Sequence, residues 1–155
     1  MRLEFSRAEP RVKTLVDDII RTIPEFSHID PERIHILFSN STSRSIAYCH
    51  EMNSRIQFAL DIQPNYVIEL VTKNWKRLSI EERAKVLIHE LYHIPRTFSG
   101  YLRNHDHRQG FTPYSRRLES RLYDFYLNNH PARSPEEISH FTRESLSKTP
   151  LETFI

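Results

Sequence analysis

His89, Glu90 and His93 constrain this chain more than any other residues, because they can act together only on an α-helix. Positions four apart lie one above the other on the same helical face. His89 and His93 can therefore present both imidazoles to one metal ion. Glu90 is turned by about 100° from His89, where its carboxylate can reach a water beside that ion. This HExxH spacing places two ligands and a general base in a single helical turn, the arrangement used by zinc hydrolases. The flanking residues also favour a helix. Ser79 followed by Glu82 has the form of a capping box. Ile80, Ala84, Leu87, Ile88 and Leu91 recur at helical spacing and form a core-facing stripe, with the two histidines beside it. Pro95 stops the helix, which is expected over residues 80–94.

A catalytic zinc site takes three protein ligands and keeps one position open. Position 99 is Ser, so the compact HExxHxxGxxH continuation is absent. The third ligand is expected from residues 96–111, where Arg103-Asn104-His105-Asp106-His107-Arg108 offers two histidines. Residues two apart in an extended segment point the same way, so spacing does not choose between them. His105 is preferred, with His107 as the alternative. With that set, zinc would activate a water for hydrolysis, and Glu90 would take and later return the proton.

The run Lys85 to Pro95, then Phe98-Ser99-Gly100 and Leu102 to His105, resembles the metallopeptidases found in phage and archaeal genomes. Ile62 to Glu69 and Leu78-Ser79 extend the likeness, which covers about residues 45–126. The resemblance implies a zincin-like fold, His89 and His93 as ligands, Glu90 as catalytic acid and base, and His105 as the third ligand. One departure matters. His107 followed by Phe111 also resembles the ending of the SprT-like DNA-associated proteases, which would make His107 the ligand.

Elsewhere the pattern predicts a helix over 9–22, with Val12, Leu15, Val16, Ile19, Ile20 and Ile23 on one side and Pro24 at its end. A strand is expected at 33–38, and paired strands at 45–50 and 55–60 around Met52-Asn53-Ser54. Another strand, Tyr66 to Val71, is rich in β-formers. Thr112 and Pro113 are expected to begin a second helix with Tyr114, Leu118, Leu122, Phe125 and Tyr126 as its stripe. Residues from about 132 to 155 read as a polar C-terminal extension, with a short helix at 135–144. This order predicts one α+β, zincin-like domain across 1–155. A small mixed or antiparallel sheet would pack with the N-terminal helix, the HExxH helix and a C-terminal helix. The strand 66–71, or a neighbour, is expected to offer a sheet edge beside the metal for an extended peptide.

Composition sets the outer bounds. With 155 residues, 38% hydrophobic and 27% charged, the chain is an ordinary candidate for a soluble globular domain. It holds no run of about 18 apolar residues and begins without a secretory signal, so the cytoplasm is expected. One cysteine, Cys49, excludes an internal disulfide and reads as a core residue. Two glycines are too few for a phosphate-binding loop or a dinucleotide fingerprint. The net charge is only +2, yet residues 96–121 carry six arginines against Asp106 and Glu119. Arg103, Arg108, Arg117 and Arg121, interleaved with aromatic residues, could hold nucleic acid. The expected function is therefore a zinc metallopeptidase acting on peptide or protein. The alternatives are a DNA-associated protease or nucleic-acid-binding module, and a zinc-binding protein without turnover. His28, His35, His50, His130 and His140 lack ligand spacing and read as surface or hydrogen-bonded residues.

Overall fold

The first helix, α1, runs Pro10–Thr22, with proline in its first turn, where a missing N–H costs nothing. Its apolar stripe buries Val12, Leu15, Val16, Ile19 and Ile20. Each fully buried aliphatic side chain contributes about 1.5–3 kcal/mol relative to exposure. In this computed structural model, residues 2–103 and 116–130 are described. Four strands follow the order β1-β2-β4-β3: β1 Phe5–Arg7, β2 Ile34–Ser39, β3 Ala47–His50 and β4 Tyr66–Val71. The central pair β2 and β4 is parallel, with Ile34 opposite Tyr66, and the two outer pairs are antiparallel. The result is a mixed α+β arrangement. Ile34, Phe38, Ala47, Tyr66, Ile68 and Leu70 bury one sheet face in the core shared with α1 and the HExxH helix.

The HExxH helix, here α4 after the short helices α2 (Ser54–Leu60) and α3 (Thr72–Trp75), spans Ile80–Tyr92. Its capping box is formed in full. The Glu82 N–H donates to the Ser79 hydroxyl at 3.2 Å, and the Ser79 N–H donates to the Glu82 carboxylate at 2.7 Å. Ile80, Ala84, Leu87, Ile88 and Leu91 are buried as their spacing predicts. Helical geometry ends at Tyr92, two residues before the expected limit, and His93 occupies the C-cap. The last helix, α5 (Arg116–Asn129), packs on α4. Its proposed cap, Thr112 with Pro113, lies outside the described residues, as does the stretch 131–155 with its expected helix.

Three expectations are corrected. Residues 54–60 form the helix α2 rather than a strand: the Asn53 side chain accepts the Ile56 N–H at 3.1 Å, and Asp61 closes the helix in the left-handed region at φ 51°. The alternation Ile56, Phe58, Leu60 that imitates a strand is not a burial pattern, since all three are exposed and Phe58 is 90% so. The strand expected at 45–50 forms as Ala47–His50 and pairs with β4 instead. Tyr66–Val71 is an interior strand, hydrogen-bonded on both sides, so it offers no free edge; its neighbour β3 lies at the end of the sheet. On α5, Tyr123 is buried where Phe125 was expected. At about 100° per residue, Leu122, Tyr126 and Tyr123 share one sector while Phe125 sits roughly 110° from its centre.

Candidate active site

Because α4 is buried along one stripe, the residues beside that stripe line a cleft against β3. The cleft has a volume of about 590 Å³. Residues 45–49 form one wall, and Val86, His89, Glu90 and His93 of α4 form another, with Leu102 and Glu119 at the margins. The His89 and His93 rings stand 5.1 Å apart, centre to centre, at 73°. This agrees with the one-turn spacing read from the sequence. Glu90 is 7% exposed. Burial pushes its carboxyl up to about 7, opposed by the backbone N–H of Cys49, which donates to it.

The β3 ladder explains that contact. The Val71 N–H donates to the Ile46 carbonyl at 2.8 Å, so residues 46 and 71 form a hydrogen-bonded pair. Bonded and non-bonded pairs alternate along an antiparallel ladder. Tyr48 and His50 therefore turn their backbone groups toward β4, whereas Ala47 and Cys49 turn theirs to the open side. Among the described residues no strand pairs with that side. The Cys49 thiol is itself held well above its usual range by burial and by the charge of Glu90.

The ring of His93 is oriented from behind. Its Nδ1 lies 2.7 Å from the Arg103 carbonyl. A carbonyl only accepts, so Nδ1 carries the proton and Nε2 keeps its lone pair. Metal-binding imidazoles are commonly held in this way. Returning the chain to this point requires an ordered segment after Pro95. Gly100 sits at φ 97°, and a Cβ there would lie 2.3 Å from both the Met52 carbonyl oxygen and Gln57 Nε2. Its N–H donates to the Tyr66 hydroxyl at 2.8 Å, and that hydroxyl donates to the Tyr101 carbonyl at 2.9 Å. Gln57 Nε2 donates to the carbonyls of Met52 and Ser99. Gly100 thus bends the chain back toward α4, fixed by residues that sequence reasoning did not connect to it.

His89, Glu90 and His93 are the expected site residues that the structure brings together. His105, His107 and Arg108 lie outside the described residues. Among the described residues no group of three or more His, Cys, Asp or Glu side chains could hold a metal ion. Two imidazoles facing one cleft, one with its tautomer set, are nonetheless a donor pair suited to zinc or a similar divalent ion. Arg103, expected as a nucleic-acid contact, instead donates from Nη2 to the Tyr92 carbonyl at 2.6 Å and lies over the Tyr92 ring. Arg117 and Arg121 are exposed on α5. The remaining described histidines are engaged as anticipated: His28 with the Ile94 carbonyl, His35 with Asn65, His50 with Glu69, and His130 stacked near Tyr126. No helix among the described residues is long and apolar enough to cross a membrane.

Comparison with curated proteins and with solved structures returns no match. A family model described as "Putative phage metallopeptidase" matches residues 3–130. That match takes in every element from β1 to α5, the cleft included, and a family of this description implies a metal cofactor and a peptide or protein substrate. The chain belongs to this family of phage metallopeptidases.

Proposed function

We propose that the protein is a zinc-dependent peptidase of zincin-like fold, with residues 1–155 as one domain and a polar extension from about 132. The observation that carries this reading is the buried carboxylate of Glu90, set between two histidines and the open edge of β3. His89 and His93 would hold the ion, with His105 as third ligand and His107 as the alternative. Zinc bound there would supply Lewis acidity toward water and toward a peptide carbonyl.

The polypeptide contributes the remaining chemistry. A substrate strand laid along β3 finds the Ala47 N–H and carbonyl and the Cys49 carbonyl facing it, which favours an extended peptide bound by strand addition. The Cys49 N–H steadies the Glu90 carboxylate at the same edge. Glu90 takes the proton of the attacking water and delivers it to the departing amine nitrogen. A carboxyl raised toward 7 by burial is suited to both directions of transfer near neutral pH. Ile46, Val86 and Leu102 give the cleft apolar walls.

Glu90→Gln tests the assignment. It keeps size and hydrogen bonding but removes the base, so zinc content should match the parent while peptide hydrolysis falls by about 10²–10⁴. Equal turnover by parent and variant would overturn the assignment. Metal analysis of His105→Ala and His107→Ala, made separately, identifies the third ligand by which one loses zinc.

A further inference from the structure

We infer that Arg103 is a positioning residue that aims His93 at the metal. The inference rests on the reading of His93 as a ligand. Arg103 contacts the C-terminal turn of α4 in five ways. Its N–H donates to the His93 carbonyl at 2.7 Å, and its own carbonyl accepts from the His93 ring at 2.7 Å. Its guanidinium donates from Nη2 to the carbonyls of Tyr92 at 2.6 Å and Ile94 at 3.3 Å. The guanidinium carbon also lies 4.6 Å from the centre of the Tyr92 ring.

Each contact answers a need created by the sequence. A helix ends with carbonyls that have no intrahelical partner, and its C-terminus favours positive charge. Pro95 cannot donate an N–H to them. Arg103 supplies donors to three successive carbonyls, at residues 92, 93 and 94. The ring of His93 is then bonded to the same residue that grips the helix end. Because the side chain holds Arg103 against α4, its carbonyl stays where the imidazole Nδ1 needs an acceptor. A shift of the backbone at 103 would release the ring. Nη2 alone serves two carbonyls while the planar guanidinium lies against an aromatic face, and a compact lysine ammonium lacks that flat surface.

Arg103 also fixes the start of the segment leading to His105, two residues on, and His107, four residues on. Outer contacts of this kind commonly change metal affinity by about 10–100-fold.

The test uses the full chain with Arg103→Met and Arg103→Lys. Zinc affinity is measured by competition with a chelating dye, and the His93 Nδ1–H signal is followed by NMR in zinc-loaded protein labelled with ¹⁵N-histidine. The parent should bind one zinc and show a slowly exchanging Nδ1–H. Arg103→Met should bind zinc about 10–100-fold more weakly, with exchange of that proton accelerated at least about tenfold. Arg103→Lys should fall between the two. Affinity and exchange within twofold of the parent in both variants would overturn the inference. If the Met variant does not fold, the Lys variant decides by the same thresholds. Failure of the parent to bind zinc would instead sink the peptidase reading itself, so the two failures are distinguishable.

Discussion

The hydroxyl of Tyr66 sits under the segment joining the HExxH helix to its downstream residues, accepting one backbone N–H and donating to one carbonyl. The residue is fully buried, and burial pushes its phenol up to about 12, so it remains a neutral donor. Tyr66→Phe would keep the ring packed edge-on against Phe98 while stranding the Gly100 N–H and the Tyr101 carbonyl. The expected cost is about 1–3 kcal/mol, read as a lower urea midpoint with unchanged slope. Residues of this kind divide the legible from the illegible. The spacing of His89, Glu90 and His93 and the Ser79–Glu82 pair are local patterns, and the structure forms both in their expected places. The role of Arg103 was not legible, because it depends on the chain returning to its own helix ten residues later. As a loose arginine in a basic stretch, it read as a phosphate contact.

At the scale of elements, α4 is the best specified. Cap, apolar stripe and stop signal all agree, and such consistency marks a sequence that determines its local structure. Ser79→Ala should remove one half of the capping box and cost about 0.5–2 kcal/mol in chemical denaturation. Zinc affinity should be unchanged, since Ser79 lies at the opposite end of the helix from His89 and His93. The element α2 shows the converse. Ile56, Phe58, Leu60 and Ile62 alternate as a half-buried strand would, but Asn53 starts a helix and none of its residues is buried. Period alone could not separate the two because the segment spans only two helical turns. Gln57 was the informative residue. It ties α2 to Met52 and Ser99, a long-range role that leaves no periodic trace.

For the whole molecule, strand order was the least legible property. That β4 lies between β2 and β3 follows from pairings as distant as Ile34 with Tyr66, which no local pattern encodes. The nearly continuous apolar run Tyr66–Val71, interrupted by Glu69, is the sequence-level hint of an interior strand. His28 joins two distant parts of the fold, donating from the connection after α1 to the Ile94 carbonyl at 3.0 Å. Burial lowers its pKa below 6.5, helped by the charges of Arg103 and Arg96 and opposed by its bond to the Ile94 carbonyl. The unfolded chain then binds the proton more readily than the folded one. The stability contributed by neutral His28 is present above about 6.5 and is lost as pH falls through the lower folded value. His28→Gln, which can still donate to that carbonyl, should therefore lose less stability than the parent between about pH 6.5 and 5 in urea titrations. An unpaired border strand also invites other chains to stack onto it, and proteins usually blunt such borders. Here the blunting is done by Glu90, whose carboxylate occupies the outward amide of Cys49. A stray polypeptide settling along β3 in full register would have to evict that carboxylate. Among the described residues, that side chain thus leaves such a polypeptide one amide fewer to bond.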